Sequence, residues 1–305
     1  MDIRQLTTFR TAATVLSFTR AARELKYAQS SVTAQIKNLE VSLGVELFER
    51  VGARVQLTEA GRRLLPYAEQ MVALADEARG VAVGRREPAG LLTVGTTENV
   101  TSYRLPPLLE FFHHRYPLLQ LALRPSLGDE TCQALRQGAF DLGFLTEAET
   151  DHRGLRGEVL GPEPLTLVAA PSHPLVYSRS VTVADLRGVP VLMPQAGCGY
   201  RELFERALSD DGRPQLLEFG TIESIKWGVA GGLGVSLLPS VAVAGELASR
   251  ALAAVAWKPP FTVYNQLVWR RGKHLSCEMR LFIEQTVRVI AEGAPAVTRL
   301  SSLTA

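Results

Sequence analysis

Residues 29–40 read Gln-Ser-Ser-Val-Thr-Ala-Gln-Ile-Lys-Asn-Leu-Glu, and their spacing divides them into two faces. Val32, Ile36 and Leu39 recur at i, i+4, i+7, which predicts a helix with one buried stripe. The opposite face offers Gln29, Ser30, Thr33, Gln35 and Lys37, short or forked hydrogen-bonding groups that suit a DNA major groove. A second chemistry lies downstream. The apolar run Leu91–Gly95 predicts a buried strand, and it leads into Thr96-Thr-Glu-Asn-Val-Thr-Ser102. A hydroxyl-rich loop at a helix N-terminus presents free N–H groups and a positive helix end, which suits an anion. The third stretch is Gln195-Ala-Gly-Cys-Gly-Tyr-Arg201, a Gly-rich turn opening a helix. Cys198 there sits where a thiolate is stabilised. Arg201 either clamps an anion with two parallel bonds or pairs with Glu205 at i+4.

The polar helix needs elements to hold it. Leu6, Phe9, Ala13 and Leu16 predict a first helix within residues 1–16. Thr19 is the expected N-cap of a second, with Ala21, Ala22 and Leu25 packing on the first. Helix, tight turn and polar helix form a helix-turn-helix, which places the last helix in the groove. Residues 44–57 then read as a hairpin turning at Gly52, with Arg50 and Arg54 beside the turn. A basic hairpin there is a wing against phosphate or the minor groove. Thr58 caps a further helix whose Leu64, Ala68, Met71, Ala75, Ala78 and Ala82 alternate spacings of four and three. That is a heptad seam, expected to join two copies; packing within its own chain is the alternative. Arg85-Arg86 and Pro88-Ala-Gly90 close it as a linker.

The whole chain sets bounds. Its 305 residues predict more than one domain. Residues 1–66 carry 10 Lys/Arg against 6 Asp/Glu, while the full chain is only +2, so the basic end is the N-terminal one. Three dispersed cysteines, Cys132, Cys198 and Cys277, fit a reducing compartment and neither a disulfide framework nor a zinc site. Apolar runs are shorter than a membrane span, and Met1-Asp-Ile-Arg-Gln carries no secretory pattern, so a cytoplasmic location is expected. From residue 91 onward strands and helices alternate, which predicts a parallel sheet with ligands at the strands' carboxyl ends. A second set of such units begins near Leu165, and Ser276–Ala291 reads as a final helix.

Four segments in this order and spacing carry a resemblance: Phe18–Ala22, Gln29–Glu40, Gly44–Arg50 and Leu57–Gly61. With them the chain resembles the LysR-type transcriptional regulators over nearly its full length. It departs from the family at Ala28, Ser30 and Ala34, where Ser, Pro and Arg are frequent. The resemblance implies an α/β protein with an N-terminal winged helix-turn-helix and a long linker helix. Two α/β subdomains built like a periplasmic binding protein then follow. The implied bounds are 1–58 for the DNA-binding domain, 59–88 for the dimer helix and 89–305 for the effector domain. Subdomain I takes 91–161 and 268–294, and subdomain II takes 162–267. Ser31 and Thr19 join the implied DNA contacts. Thr96, Thr97, Asn99, Thr101, Ser102, Gly128, Gly197, Cys198, Gly199, Tyr200, Arg201 and Thr221 are the implied cleft lining. For Thr221 and Ser102, helix capping is the alternative role. The implied partners are a two-fold DNA operator, a small-molecule effector, a second copy extending to a tetramer, and RNA polymerase. No metal, cofactor or membrane is implied.

Three other functions are weighed. A redox-responsive regulator would use Cys198, but the next cysteine in sequence is Cys277. An enzyme would need a nucleophile elbow, a phosphate loop or a dinucleotide fingerprint after a strand, and the sequence carries none. The five histidines have no metal-ligand spacing, and His113 and His114, as neighbours, point to different helix faces. A solute-binding protein is disfavoured by the N-terminal DNA module.

Overall fold

The computed structural model describes residues 1–51, 54–82, 87–208 and 215–291. The expected turn glycine Gly52, the pair Arg85-Arg86 and the Ala/Ser/Thr-rich tail lie outside them, as do the side chains of Arg50, Arg54 and Ala82.

The chain opens with α1 (Ile3–Val15), α2 (Phe18–Leu25) and α3 (Gln29–Leu43), then β1 (Phe48–Val51), β2 (Arg54–Leu57) and the long α4 (Glu59–Ala82). Asp2 and Gln5 start α1 with a reciprocal capping box. The helix ends where Leu16 takes φ 48, a left-handed turn, so Leu16 points outward rather than into the expected core, where Ala12 stands instead. The cap of α2 is Ser17 and not Thr19: Arg20 N donates to Ser17 Oγ at 3.3 Å, and Thr19 is exposed. Leu6, Phe9, Ala12, Ala21, Ala22, Val32, Ile36 and Leu39 make one core, closed by Leu47 and Phe48 of the hairpin. Glu40 fixes that hairpin to α3, accepting from Leu47 N at 2.8 Å and Phe48 N at 3.2 Å.

The expected seam of α4 is redistributed. Leu65, Ala68 and Val72 are buried in this core, and α4 packs against α1. Ala68 therefore serves its own chain. The apolar residues left outward are Tyr67 (60% exposed) and Leu74 (57%), in line with half-buried Met71 and exposed Ala78 at spacings of four, three and four. Leu64 is half-buried against the core and Ala75 is half-buried.

The sensor begins with β3 (Gly90–Thr96), α5 (Glu98–Tyr103), α6 (Pro106–Arg115), β4 (Leu119–Pro125), α7 (Gly128–Gln137), β5 (Leu142–Glu147) and β6 (Leu155–Pro162). A second lobe follows with β7 (Leu165–Ala169), β8 (Val191–Met193), α8 (Gly199–Leu208), β9 (Leu216–Glu218), α9 (Ile222–Ala230), β10 (Ser236–Pro239), α10 (Ser240–Ser249) and β11 (Ala253–Ala254). The chain returns through β12 (Tyr264–Arg270) and α11 (Cys277–Thr286), which widens into a π turn at Val287–Ala291.

The first sheet has the order β4-β3-β5-β12-β6. It is parallel through β4, β3 and β5, but β12 runs antiparallel between β5 and β6, so the sheet is mixed rather than parallel as expected. β12 joins this sheet from Tyr264, ahead of the expected boundary at 268. β3 and β5 are nearly continuous apolar runs because both sheet faces are covered. In the second lobe β7 pairs antiparallel with β10 and β11, while β8 and β9 pair in parallel. Separate apolar clusters fill each lobe. Among the described residues no helix is long and apolar enough to cross a membrane.

Candidate DNA interface and effector cleft

The start of α3 is open. Its N-cap, Ala28, supplies no side-chain bond, and Gln29, Ser30, Ser31, Thr33 and Lys37 are all exposed. The Thr33 hydroxyl already donates to Gln29 O at 3.0 Å, which leaves its lone pairs and methyl group for an outside partner. Gln35 departs from the expected set. It is half-buried and accepts a bond from Thr8 Oγ1 at 2.7 Å, so it faces α1. Thr8 is wholly buried on α1, and a buried hydroxyl needs a partner; a polar residue among Leu6, Phe9 and Ala12 was the available signal. Arg50 and Arg54 fall on paired strands, opposite Val55 and Val51 respectively, flanking the hairpin tip.

The second arrangement lies where the two lobes meet. The carboxyl ends of β3, β4 and β5 carry Thr96-Thr97, Ser126–Gly128 and Thr146-Glu147 on one edge of the first sheet. The N-terminus of α8 lands on this edge. A Cβ on Gly199 would lie 2.6 Å from Thr146 O and 2.6 Å from Glu147 Cβ, so only glycine admits this approach. Gly197 takes φ +87 and faces Leu127 with more room, and a Cβ on Gly128 would lie 3.5 Å from Glu147 Oε2. Tyr200 is buried, and burial pushes its hydroxyl well above the ordinary tyrosine value, with Cys198, Glu98 and Glu163 adding to the rise.

Side chains tie the lobes together. Ile222 N, at the start of α9, donates to both carboxylate oxygens of Glu98, at 3.2 and 3.0 Å. Tyr103 OH donates to Glu223 Oε1 at 2.8 Å, and Lys226 holds the same carboxylate at 2.5 Å and Glu246 at 2.6 Å. Burial opposes the Lys226 charge, yet these carboxylates keep its ammonium above the ordinary lysine value. At the crossings between lobes Arg104 makes a two-pronged pair with Glu163, at 3.2 and 2.8 Å. Asn265 Nδ2 donates to Glu163 Oε2 at 2.5 Å, and Thr146 Oγ1 donates to Asn265 Oδ1 at 2.8 Å. The implied subdomain bounds at 161–162 and 267–268 lie beside Glu163 and Asn265, and the bond between these two residues ties the two crossings together.

The family description "Bacterial regulatory helix-turn-helix protein, lysR family" matches residues 3–62, and "LysR substrate binding domain" matches residues 85–291. The chain belongs to the LysR family. It is a LysR-type, ligand-responsive transcriptional regulator, with a helix-turn-helix DNA-binding domain and an effector-binding domain. LysR regulators bind DNA and small-molecule effectors and act as oligomers. The chain is 39% identical to the HTH-type transcriptional regulator YwqM of Bacillus subtilis, over 94% of this chain and 98% of that one. It is 33% identical to YusT of the same organism, over 93% and 95%. Full-length OxyR from Pseudomonas aeruginosa superimposes with TM-score 0.75 at 24% identity, covering 99% of each chain. ArgP from Mycobacterium tuberculosis does so with TM-score 0.73 at 23% identity, covering 98% of this chain and 100% of that one. At such identities these two structures speak for the fold alone.

Several LysR cleft expectations change with the geometry. Thr96 is wholly buried and accepts from Thr101 Oγ1 at 3.2 Å, and Thr101 also donates to Thr97 O at 3.0 Å. These two hydroxyls brace the loop instead of facing a ligand. Ser102 is exposed. Thr221 is the cap of α9, accepting from Ser224 N at 3.1 Å. Arg201 is no free clamp: it donates to Glu205 at 2.6 Å, Glu218 at 2.5 Å and Pro194 O at 2.5 Å, all within its own lobe.

Cys198 also departs from expectation. It keeps some accessible surface, but burial pushes its thiol up to about 11, and bonds near the helix start offset this only in part. The thiol form therefore dominates at neutral pH, the opposite of a stabilised thiolate. Its alkylation by iodoacetamide at pH 8 is expected to run about 100-fold slower than that of an unshifted thiol, in step with the lost thiolate fraction. Mass spectrometry of labelled peptides across pH 7 to 11 checks this; rapid labelling at pH 8 would contradict it. Cys132 packs in α7, with Sγ 3.6 Å from His152 Nδ1, while His152 Nε2 lies 2.5 Å from Glu147 Oε1. This row resembles a nucleophile, base and orienting carboxylate. The thiol is 2% exposed and burial raises its pKa, so it lacks both access and activation. Among the described residues no group of three His, Cys, Asp or Glu is placed to hold a metal.

Proposed function

We propose that this LysR protein acts in the cytoplasm on a two-fold-symmetric operator, one α3 per half-site. The effector binds between the sensor lobes. The observation that carries the DNA part is the open start of α3, where five polar side chains face solvent and only Thr33 is bonded to its own helix. Gln29, Ser30, Ser31, Thr33 and Lys37 are the contacts, supported by Thr19 and by Arg50 and Arg54 on the wing. The second copy docks along Tyr67, Leu74 and Ala78 of α4, exposed residues on the helix face that also carries the half-buried Met71 at heptad spacing. A tetramer and contact with RNA polymerase extend the same reading.

The cleft is the effector site in this reading because Thr97 Oγ1 and both amide atoms of Asn99 are buried without a partner among the described residues. Gly128, Gly197, Cys198, Gly199 and Tyr200 form its other walls. The signal leaves through β12. Its start is gripped by Glu163 through Asn265, and its end carries Arg270, which pairs with Glu69 of the linker helix. Gln70 Nε2 adds a bond to Gly272 O at 2.6 Å. An effector that prefers one arrangement of the lobes thereby biases the angle of α4, in proportion to its differential affinity.

The testing experiment is recovery of genomic DNA on the purified protein, followed by sequencing. A small set of sites with a two-fold repeat is expected; no enrichment at moderate salt, with and without cell extract as a source of effector, would contradict the reading. Gln29→Ala and Thr33→Ala should each weaken specific binding by about 1–3 kcal/mol and binding to random DNA much less. Equal losses on both DNAs, measured by fluorescence anisotropy, would reassign these residues to the backbone. Thr97→Val should remove the effector response of a reporter gene and leave operator affinity intact. A surviving response would move the pocket elsewhere.

A further inference from the structure

We infer that the effector of this cleft is uncharged or cationic and carries an adjacent hydrogen-bond donor and acceptor; it is not a carboxylate or a phosphate. This rests on the reading of the cleft as the effector site. Asn99 is 4% exposed, and among the described residues neither its Oδ1 nor its Nδ2 has a partner; Thr97 Oγ1 is likewise unpaired there. Val100 points into the first-lobe core, whereas Tyr103, one turn beyond Asn99 on the same helix face, reaches Glu223 of the second lobe. Asn99 therefore faces the second lobe. A primary amide with both functions unmet is complementary to a group that offers a donor beside an acceptor, such as an amide or an amino alcohol.

The charges bonded around it favour a neutral or cationic group over an anion. The three cations bonded at the cleft are all engaged: Arg104 by Glu163, Arg201 by Glu205 and Glu218, and Lys226 by Glu223 and Glu246. Two helix starts that reach the cleft already have carboxylates of the chain beside them: Glu98 accepts from Ile222 N at α9, and the Glu147 carboxylate lies beside Gly128 of α7, while only the Cβ and Cα of Glu147 approach Gly199 of α8. Glu147 Oε1 is held by His152, while Oε2 has no bond among the described residues and is directed at the Gly128 side of the cleft. An arriving carboxylate would meet Glu98 and Glu147 while Arg104, Arg201 and Lys226 are already paired; an arriving amine meets two acceptors.

The test uses the full chain, with thermal unfolding read at fixed ionic strength in 1,4-diaminobutane, propionamide or succinate. The diamine and the amide are expected to raise the midpoint in a saturable manner, and succinate to leave it unchanged. Asn99→Leu should abolish both shifts. Glu147→Gln should weaken the diamine about ten-fold or more and leave propionamide unaffected. Without any compound, Asn99→Leu should keep or raise the midpoint, because an unmet amide is replaced by an apolar group of similar size. A fall in both Asn99→Leu and Asn99→Val would mark an amide bonded within the fold and overturn the inference. Succinate stabilisation that is lost in Asn99→Leu would overturn the charge class and leave the cleft as the effector site. No response to any of the three, with operator binding intact, would overturn both.

Discussion

Glu163→Ala is expected to destabilise the sensor by about 3–5 kcal/mol, the cost of leaving a largely buried charge without its partner. The Glu163 side chain has no exposed surface and that of Arg104 is 27% exposed. Removing the carboxylate strands the guanidinium, and it also takes away the acceptor of Asn265 Nδ2. Asn265 is itself 3% exposed and holds the hydroxyl of Thr146, so three strand ends lose their common tie. Urea unfolding of the purified chain measures the loss. The pair is not expected to be the most stable solution available, since desolvating two charges offsets much of their attraction. The double replacement Arg104→Met with Glu163→Leu should therefore recover a large part of the stability. It should not recover the effector response, because the bonded crossing is what links cleft and β12. A loss under about 1 kcal/mol for Glu163→Ala would show a pair as weak as an exposed one.

Arg270→Ala is expected to detach the linker helix from the sensor while leaving each domain folded. Arg270 and Glu69 are 12% and 11% exposed, so truncation leaves Glu69 enclosed and unpaired, again a cost of about 3–5 kcal/mol. The chain need not unfold to relieve it; α4 can lift away. Gly138 shows how close the seating is. It ends α7 at φ +76, and a Cβ there would lie 2.3 Å from Glu69 Oε1. Amide hydrogen exchange should accelerate across residues 69–75 and 270–274, with the first sheet of the sensor unchanged. DNA affinity of the helix-turn-helix should persist, while the effector response is lost. The exchanged pair Glu69→Arg with Arg270→Glu should restore part of the protection. Unchanged exchange in Arg270→Ala would mean that Gln70 and the packing of α4 hold the contact without the ion pair.

The sequence by itself determined the local order of the DNA-binding half. Val32, Ile36 and Leu39 at helical spacing left few choices for α3, and the hydroxyl of Thr58 marked the start of α4, where Gly61 N donates to it at 3.0 Å. The residue types of four short segments, in fixed order, were enough to indicate the family. Strand and helix alternation from residue 91 indicated α/β layers, because apolar runs of strand length between amphipathic helices pack as covered sheets; the division into two lobes came from the resemblance.

Tertiary structure decided which polar groups are spoken for. Nothing in the local pattern separates Gln35 from Gln29; the buried Thr8 of another helix does. The heptad of α4 holds two apolar stripes, and only the presence of α1 assigns Leu65, Ala68 and Val72 inward and leaves Tyr67 and Leu74 outward. For Arg201 the local pattern allows either an anion clamp or a pair with Glu205; the structure makes the Glu205 pair and adds Glu218, on a separate strand, within 2.5 Å. Cys198 stands at a helix start, which lowers a thiol's pKa, but it is also largely enclosed, which raises it, and the enclosure is the larger effect. Each of these depends on partners far apart in sequence, and a charge or a hydroxyl is free only after all such partners have been placed.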